Sequence, residues 1–316
     1  MPDAAPERAP TTPSQPSIPG RSAPGRPCLV DPRSAYPRPP FPRRTQDPDA
    51  GEAALDPVPD HGEASYEGAG RLAGLVAIVT GGDSGIGKAV ALAFAREGAD
   101  VAVGFRSEAA DAASTVALVE AAGRRAIAVQ GDLQDEDACR GLVERTVREL
   151  GAIHVLVNNA AFQRMHDAIE DIPTEEWQRT LRTNLSATFW LCRAAVPLMP
   201  PGSSIINVSS IQAVSPSPML LPYASTKGAL VTYSQGLAIQ LAPRGIRVNV
   251  VAPGPVWTPL VAATSSPEDL ERFGADTPLG RPAQPAELAG AFVFLASPAA
   301  SYVTGAVIPV TGGQPF

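Results

Sequence analysis

Tyr223 and Lys227 are the residues whose types and spacing most directly indicate chemistry. They stand four apart, so on a helix both side chains lie on one face, one turn apart. A phenol with an ordinary pKa of about 10 is a poor proton acceptor at neutral pH, and a nearby cation lowers that pKa because it favours the phenolate. The pair therefore predicts an acid–base site in which Tyr223 exchanges a proton with a substrate. Lysine is also rare here, since only Lys88 and Lys227 are lysines among 25 basic residues.

Ser210 is a candidate partner of this tyrosine. It lies 13 residues before Tyr223, directly after an apolar run that ends in Val208-Ser209. Its hydroxyl could bond a substrate carbonyl oxygen beside the tyrosine, or it could cap backbone groups at the end of a strand. Ser209 is the competing candidate, which we interpret as structural.

A glycine-rich segment indicates a phosphate-binding loop. The segment Thr80-Gly81-Gly82-Asp83-Ser84-Gly85-Ile86-Gly87 follows the apolar run 76–80 and precedes a helix-like stretch. A tight turn from a strand into a helix presents N–H groups that can hold a pyrophosphate. Glycine is needed where φ is positive or where a Cβ would block the phosphate. The segment therefore predicts a nucleotide site.

The residues after the second apolar run indicate which dinucleotide binds. An acid there would bond the ribose 2′-hydroxyl of NAD, whereas an arginine favours the 2′-phosphate of NADP. That acid is absent: Arg106 follows Phe105, Ser107 is a second possible donor, and Lys88 adds positive charge nearby. Arg106 could instead be a solvated loop residue. We predict NADP(H) as the preferred cofactor, with NAD(H) as an alternative.

Polar residues also close the third and fourth predicted strands. Asp132, in Gly131-Asp132-Leu133, could accept from the adenine amino group or cap the next helix. Asn159 lies among small residues at a strand end, where the backbone can approach a ligand. Both positions suit the lining of a dinucleotide site.

The elements that position these residues follow from alternating apolar and Ala-rich stretches. The predicted strands are 76–80, 101–105, 126–130, 154–158, 204–209, 247–251 and 306–310, and the predicted helices lie near 85–97, 107–123, 135–150, 174–198, 222–242 and 284–297. Continuous apolar strands alternating with helices predict an α/β fold with a parallel sheet covered on both faces. We expect a single doubly wound Rossmann-type domain with a seven-stranded parallel sheet over 71–316. A disordered Pro-rich tail (1–34) and an extended Pro-rich arm (35–70) precede it. The arm could lie on a folded surface or wrap a neighbouring subunit, or it could be further linker.

Composition excludes several function classes. A net charge of -7 argues against nonspecific nucleic-acid binding. There is no apolar run of 18 residues, which argues against a membrane partner. Three cysteines and three histidines at unrelated spacings form neither a disulfide framework nor a metal site, so we expect no metal and a cytoplasmic location.

The motifs together resemble the short-chain dehydrogenase/reductase family. The order Thr-Gly-x3-Gly-x-Gly, Asn-Asn-Ala, Ser and Tyr-x3-Lys covers roughly residues 70–316. The segments 81–87, 252–260 and 301–305 look like a bacterial subgroup of NADP-dependent aldehyde reductases and glucose-dehydrogenase-like oxidoreductases. This resemblance implies an oxidoreductase acting on CH–OH groups and a homotetramer whose helices near 174–198 and 222–242 pack across an interface. Three departures, Ala161, Pro222 and Thr311, leave the catalytic groups intact.

The resemblance also implies a role for each site residue. Tyr223 is the acid–base group, Lys227 lowers its pKa and binds ribose, Ser210 polarises the carbonyl, and Asn184 holds a water in a relay with Lys227. The implied cofactor-binding residues are Gly81, Asp83, Ser84, Gly85, Ile86, Gly87, Arg106, Ser107, Asp132, Leu133, Asn159, Tyr223, Lys227, Pro253, Gly254, Val256 and Thr258.

The substrate pocket is expected to come from loops after the strands. Its candidate residues are Gln163, Gln212, Met219 and Trp257, with Leu220, Leu260 and Phe273. Most are apolar, which favours a small-molecule carbonyl compound or its alcohol as substrate, and the stretch 256–280 suits a mobile lid. The expected function is an NADP(H)-dependent aldehyde or ketone reductase. A sugar or polyol dehydrogenase is the alternative, and a non-catalytic dinucleotide-binding regulator is less favoured.

Overall fold

The computed structural model describes residues 29–43 and 51–316 and shows one seven-stranded parallel sheet. Its strands are β1 Val76–Thr80, β2 Asp100–Phe105, β3 Ala126–Gln130, β4 Val155–Asn158, β5 Ser204–Val208, β6 Arg247–Pro253 and β7 Val307–Val310. Their order in the sheet is β3-β2-β1-β4-β5-β6-β7. The predicted α/β doubly wound fold is therefore confirmed, with the change of direction between β1 and β4. Of the predicted Pro-rich tail, residues 1–28 lie outside the described residues.

Helices cover both faces of the sheet, which is why its central strands are buried and mostly apolar. The helices are α1 Gly85–Arg96, α2 Ala109–Ala121, α3 Glu136–Leu150, α4 Thr174–Leu181, α5 Ala187–Ala195, α6 Leu221–Leu241, α7 Pro259–Ala262, α8 Pro267–Glu271 and α9 Pro285–Ala296. One core cluster joins the sheet to α1 and α9, and a second joins it to α3, α5 and α6. Every residue of β1, β4 and β5 is buried.

Local sequence sets the ends of several helices. Asp135 caps α3, since its side chain accepts a hydrogen bond from the backbone N–H of Asp137, and Gly151 ends that helix in a left-handed conformation. The capping residue is thus Asp135 rather than Asp132. At α9, Gln284 and Glu287 form a capping box around Pro285.

The arm packs on the body of the same chain. The described residues from Pro32 to Phe316 form one compact unit, and Phe41 and Leu55 of the arm are buried with Trp257, Ala262 and Leu270. Within the described part of the chain, no helix is long and apolar enough to cross a membrane.

Candidate active site

The end of β5 and the first turns of α6 bring the predicted catalytic residues together. Ser210 follows β5; its hydroxyl accepts from the backbone N–H of Gln212 at 3.2 Å and lies close enough to Tyr223 to lower the pKa of that phenol. The Lys227 Nζ lies 5.3 Å from the centre of the Tyr223 ring and donates to the carbonyl oxygen of Val208 at 2.7 Å. Ser209 takes the structural position expected of it, because its hydroxyl donates to the carbonyl oxygen of Lys227 at 2.8 Å.

Burial controls the titration of this pair. It raises the pKa of Tyr223 to about 12, against an opposing hydrogen bond from Ser210. It also lowers the pKa of Lys227 to about 7, because the ammonium is removed from water. In the protein without a ligand the pKa of Tyr223 is therefore raised rather than lowered, because desolvation outweighs the contribution of Ser210.

Asn184 lies in a π-helical turn, Arg182–Ser186, between α4 and α5. The side chain is 1% exposed. Its amide nitrogen donates to the carbonyl oxygen of Phe162 at 2.9 Å and to Thr226 Oγ1 at 3.1 Å, and its amide oxygen accepts from the Phe162 N–H at 2.8 Å. Such single-turn π-bulges are frequent at functional sites. Asn184 thus joins the loop after β4 to α6, one residue from Lys227.

The glycine-rich loop is shaped so that backbone can approach a ligand. Gly81 has φ +59°, and a Cβ on Gly87 would lie 1.9 Å from the carbonyl oxygen of Gly81. Asn159 fixes this loop, because its amide nitrogen donates to the carbonyl oxygens of Thr80 and Gly81 at 2.9 and 3.1 Å. Only glycine fits these close approaches, and the first turn of α1 follows directly. The loop therefore fits a dinucleotide pyrophosphate.

Loops from the far side of the sheet meet this loop. A Cβ on Gly85 would lie 3.0 Å from Cγ2 of Thr258, which follows β6. Pro253 ends β6, and a Cβ on Gly254 would lie 2.8 Å from Cα of Thr311. Val256, further along this loop, is 4% exposed. The structure thus brings Thr258 of the β6 loop to the glycine-rich loop, whereas Gly254 lies against Thr311.

The ends of β2 and β3 carry exposed polar side chains. Arg106, Ser107 and Asp132 are exposed, and Leu133 is partly buried. The Ser107 hydroxyl donates to Glu108 Oε1 at 2.5 Å, and Asp132 Oδ1 accepts from the backbone N–H of Gln134 at 2.9 Å. An exposed arginine after β2 is free to meet a ligand phosphate.

Acids surround Asp83 in the glycine-rich loop. Burial, with smaller contributions from Asp111, Glu52 and Glu108, raises the pKa of Asp83 to about 6. Lys88 does not supply free positive charge here as expected, because its Nζ bonds Glu52 Oε2 at 3.0 Å. Sequence reasoning missed Glu52, since nothing in the arm's composition indicates which of its acids returns to the loop.

Two of the residues expected to line the substrate pocket, Trp257 and Phe273, pack in the cluster beneath the arm. Trp257 is 2% exposed; its ring stacks on Phe41 at 4.5 Å, and its Nε1 donates to the carbonyl oxygen of Pro57 at 2.8 Å. The expectation that it lines the substrate pocket is therefore corrected, because the arm covers it. Phe273 packs against the same cluster.

Three further candidates, Gln163, Gln212 and Met219, lie in loops after β4 and β5. Gln163 is 8% exposed and donates to Thr264 Oγ1 at 2.8 Å. The amide oxygen of Gln212 accepts from the backbone N–H of Ser217 at 2.6 Å, and Met219 is 36% exposed. Gln212 also lines a pocket with its neighbours Ile211 and Val214 and with residues from two other parts of the chain, Pro255 and Gln314 with Phe316.

Comparison with known proteins agrees with this geometry. A family model described as enoyl-(acyl carrier protein) reductase matches residues 81–314. The carrot (Daucus carota) protein named glucose and ribitol dehydrogenase is 45% identical over 280 residues, which cover 86% of this chain and 96% of that protein. The chain belongs to the short-chain dehydrogenase/reductase family. It is an oxidoreductase acting on CH–OH groups.

Further relatives of this short-chain dehydrogenase/reductase include bacterial proteins. The Escherichia coli protein called uncharacterized oxidoreductase YghA is 47% identical over 288 residues, 90% of this chain and 98% of that protein. A short-chain dehydrogenase from Burkholderia cenocepacia, solved in complex with NADP, has a TM-score of 0.73 and 35% identity over 77% of this chain and 98% of its own. A blue fluorescent protein from a metagenomic library, in complex with NADPH, has a TM-score of 0.72 and 38% identity over the same shares.

Proposed function

We propose that the protein is an NADP(H)-dependent oxidoreductase that reduces an aldehyde or ketone carbonyl or oxidises the corresponding alcohol. The observation that carries this proposal is the cluster of Ser210, Tyr223 and Lys227, in which the Lys227 Nζ lies 5.3 Å from the centre of the Tyr223 ring and Ser210 is close enough to lower the pKa of Tyr223. This group follows β5 in the same sheet whose β1 leads into the glycine-rich loop. The residues for proton transfer and for dinucleotide binding therefore lie at the same end of the sheet, beyond the carboxyl ends of its strands.

The residues of the chain supply the proton and its orientation. In the reductive direction, the Tyr223 hydroxyl donates its proton to the carbonyl oxygen, and the Ser210 hydroxyl bonds the same oxygen. The bound cofactor would supply the hydride to the carbonyl carbon, which balances the reaction to an alcohol. Lys227, with its pKa lowered to about 7, can return a proton near neutral pH. Asn184 would hold a water that connects Lys227 to solvent.

Two features support NADP(H) over NAD(H). The exposed Arg106 lies at the end of β2, where a 2′-phosphate would be bound. The Burkholderia relative binds NADP and the metagenomic relative binds NADPH. Asp111 and Glu108, the acids near Asp83 other than Glu52, would repel a phosphate, so Arg106 has to supply the favourable charge.

The substrate proposed is a carbonyl compound with an apolar part. The pocket beside Gln212 has apolar side chains from Ile211, Val214 and Phe316, and the amide oxygen of Gln212 is held by Ser217. A sugar or polyol dehydrogenase is the second candidate, favoured by the similarity to the carrot glucose and ribitol dehydrogenase. We also propose a homotetramer and a cytoplasmic location.

A substrate and cofactor panel tests this function. NADPH and NADH would be assayed with aldehydes and ketones, and NADP+ and NAD+ with alcohols, glucose and ribitol, as kcat/KM. We expect the highest value for NADPH with an apolar aldehyde or ketone, and a loss of kcat of about 1000-fold for Tyr223→Phe with retained NADPH binding. A preference for NADH would contradict the role of Arg106, and glucose or ribitol as the best substrate would favour the second candidate. Retained turnover by Tyr223→Phe would overturn the mechanism.

A further inference from the structure

The N-terminal arm contacts the first turn of α1 through a buried carboxylate. Glu52, in the short 3-10 helix Glu52–Ala54, is 3% exposed. Its Oε1 accepts a hydrogen bond from the backbone N–H of Gly85 at 2.7 Å and lies 2.6 Å from Nε2 of His61. Its Oε2 accepts from Lys88 Nζ at 3.0 Å. A residue of the arm thus holds both ends of the first turn of α1.

These groups carry balanced charges. Burial raises the pKa of Glu52, but the hydrogen bond and charge of His61, with the charge of Lys88, outweigh it and hold that pKa below its ordinary value. Burial lowers the pKa of His61, but bonds to Glu52 and Glu63 outweigh it and raise that pKa. With His61 protonated, two anions face two cations. A carboxylate can therefore lie close to a phosphate site without adding net negative charge there.

Glu52 fixes a peptide that glycine leaves free to rotate. The first N–H groups of a helix have no partner inside it, and the first that does is Lys88, whose N–H donates to the carbonyl oxygen of Ser84 at 3.1 Å. Glu52 takes the N–H of Gly85, whose φ is +49°. The N–H groups of Ile86 and Gly87 follow in the same turn, and their direction depends on how the Ser84–Gly85 peptide is set.

The same arm segment also supports the opposite side of the site. The Pro57 carbonyl oxygen accepts a hydrogen bond from Trp257 Nε1 at 2.8 Å, and Leu55 packs in the cluster with Trp257. Trp257 precedes Thr258, which lies against Gly85. Arm residues 52–57 therefore hold both the glycine-rich loop and the loop after β6.

We propose that Glu52 is a positioning residue for cofactor binding, which fixes the Ser84–Gly85 peptide so that the following N–H groups face the pyrophosphate of a dinucleotide. This inference rests on the proposed dinucleotide site and extends it to the arm. Glu52 acts through Gly85 and Lys88 and does not touch the reacting atoms. Its removal weakens cofactor binding and leaves proton transfer at Tyr223 intact.

The experiment compares Glu52→Gln with Asp60→Asn in the full chain. The amide nitrogen introduced by Glu52→Gln would face the Lys88 ammonium, donor against donor, so the carboxylate's double contact is lost. Asp60 lies on the same arm and its side chain bonds Tyr36, Ser65 and the Gly62 N–H, not α1. NADPH binding is measured by nicotinamide fluorescence, together with kcat at saturating NADPH and the Tm of each variant.

We expect Glu52→Gln to raise the NADPH Kd and the KM for NADPH about tenfold, equivalent to about 1.4 kcal/mol, with kcat within twofold of wild type. Asp60→Asn should leave the Kd within twofold. If Glu52→Gln does not fold, Glu52→Asp replaces it. The aspartate keeps the charge but is too short for both contacts, so it should raise the Kd about threefold. An unchanged Kd with a lowered Tm would overturn the proposal, as would tighter binding, which would mean that the carboxylate competes with phosphate.

A failure of the proposed function can be distinguished from a failure of the Glu52 proposal. The wild-type protein is measured first, and if it binds NADH instead of NADPH, the variant-to-wild-type ratio is taken with NADH. Wild-type binding without turnover of any carbonyl or alcohol would reject the enzymatic proposal while leaving this ratio to test Glu52.

Discussion

At the scale of single residues, Lys227 shows a conflict between stability and chemistry. The side chain is 2% exposed, and its ammonium bonds a backbone carbonyl oxygen, that of Val208. An ionised ammonium without a carboxylate partner costs free energy when it is buried. The fold accepts this cost at the position where a proton-exchanging amine lies below the ring of Tyr223. Functional sites are where such a cost is expected.

Replacing this lysine should therefore stabilise the protein and inactivate it. The folded-state pKa of Lys227 is about 7, below its ordinary value of 10.5. Between these values the unfolded chain binds the extra proton, so wild-type stability rises with pH across this window. Below pH 7 the folded protein bears the full cost of the buried charge. Lys227→Met should raise the Tm by at least about 3 °C at pH 6, and the gain should shrink at pH 9.5.

Differential scanning fluorimetry at pH 6 and pH 9.5 measures these Tm differences, with Lys227→Arg as the matched control. A guanidinium stays charged at both pH values, so the arginine variant should melt below wild type at pH 6 and further below it at pH 9.5. A pH-independent difference between Lys227→Met and wild type would show that Lys227 does not titrate in this window.

The sequence predicts which residues form this site better than how they titrate. The spacing of Tyr223 and Lys227 places them together because a helix repeats every 3.6 residues, and Ser210 is found because it ends an apolar run. The sign of the pKa change at Tyr223 depends on burial, which spacing does not reveal. The partner of Lys88 is Glu52, 36 residues earlier in the chain, so local pattern gives no means of finding it.

At the scale of elements, the arm and the segment after β6 form one packed unit. The backbone N–H of Phe41 donates to the carbonyl oxygen of Glu271 at the end of α8, at 3.0 Å. The Phe41 and Trp257 rings stack with centroids 4.5 Å apart, and α7 and α8 contribute Ala262 and Leu270 to the same cluster. Whether the stretch 256–280 opens as a lid remains a prediction, and any such opening has to separate these contacts.

A double-mutant cycle at Phe41 and Trp257 tests this packing. Each single change to Ala should lower the free energy of unfolding by about 3 to 5 kcal/mol, as for other buried aromatic residues. The double variant should lose less than the sum, with a coupling of about 0.5 to 1.5 kcal/mol for the stacked pair. Urea unfolding of the four proteins measures it. Strictly additive losses would mean that the arm does not lie on Trp257 in solution.

The elements themselves are largely predictable. Each predicted strand lies within two residues of an observed one, because continuous runs of buried apolar residues are specific to a parallel sheet. The π-helical turn at Asn184 is not predictable from composition, since one extra residue in a helical turn leaves the apolar pattern almost unchanged. The prediction for Trp257 is wrong because a tryptophan in a loop suits a pocket wall and a covered core equally well. Only its contact with Phe41 decides between them.

At the scale of the whole molecule, apolar side chains remain exposed on the helices expected to form a subunit interface. In this single chain Trp177 of α4, Phe189 of α5 and Ile239 of α6 are 37%, 44% and 78% exposed. Large exposed apolar patches mark interaction surfaces, and these three side chains are candidates for such a surface. This exposure supports the proposed homotetramer, in which these helices pack against a second copy.

A charge on this surface should therefore disrupt assembly. Ile239→Glu would place a carboxylate in the proposed interface, where burying it unpaired is costly, so we expect smaller species than wild type by sedimentation velocity and a lower Tm. Ile169→Glu is the matched control, because Ile169 is 71% exposed but lies in the short turn before α4, and it should sediment as wild type does. A monomeric wild-type protein would reject the tetramer, and an Ile239→Glu variant that still assembles would move the interface away from α6.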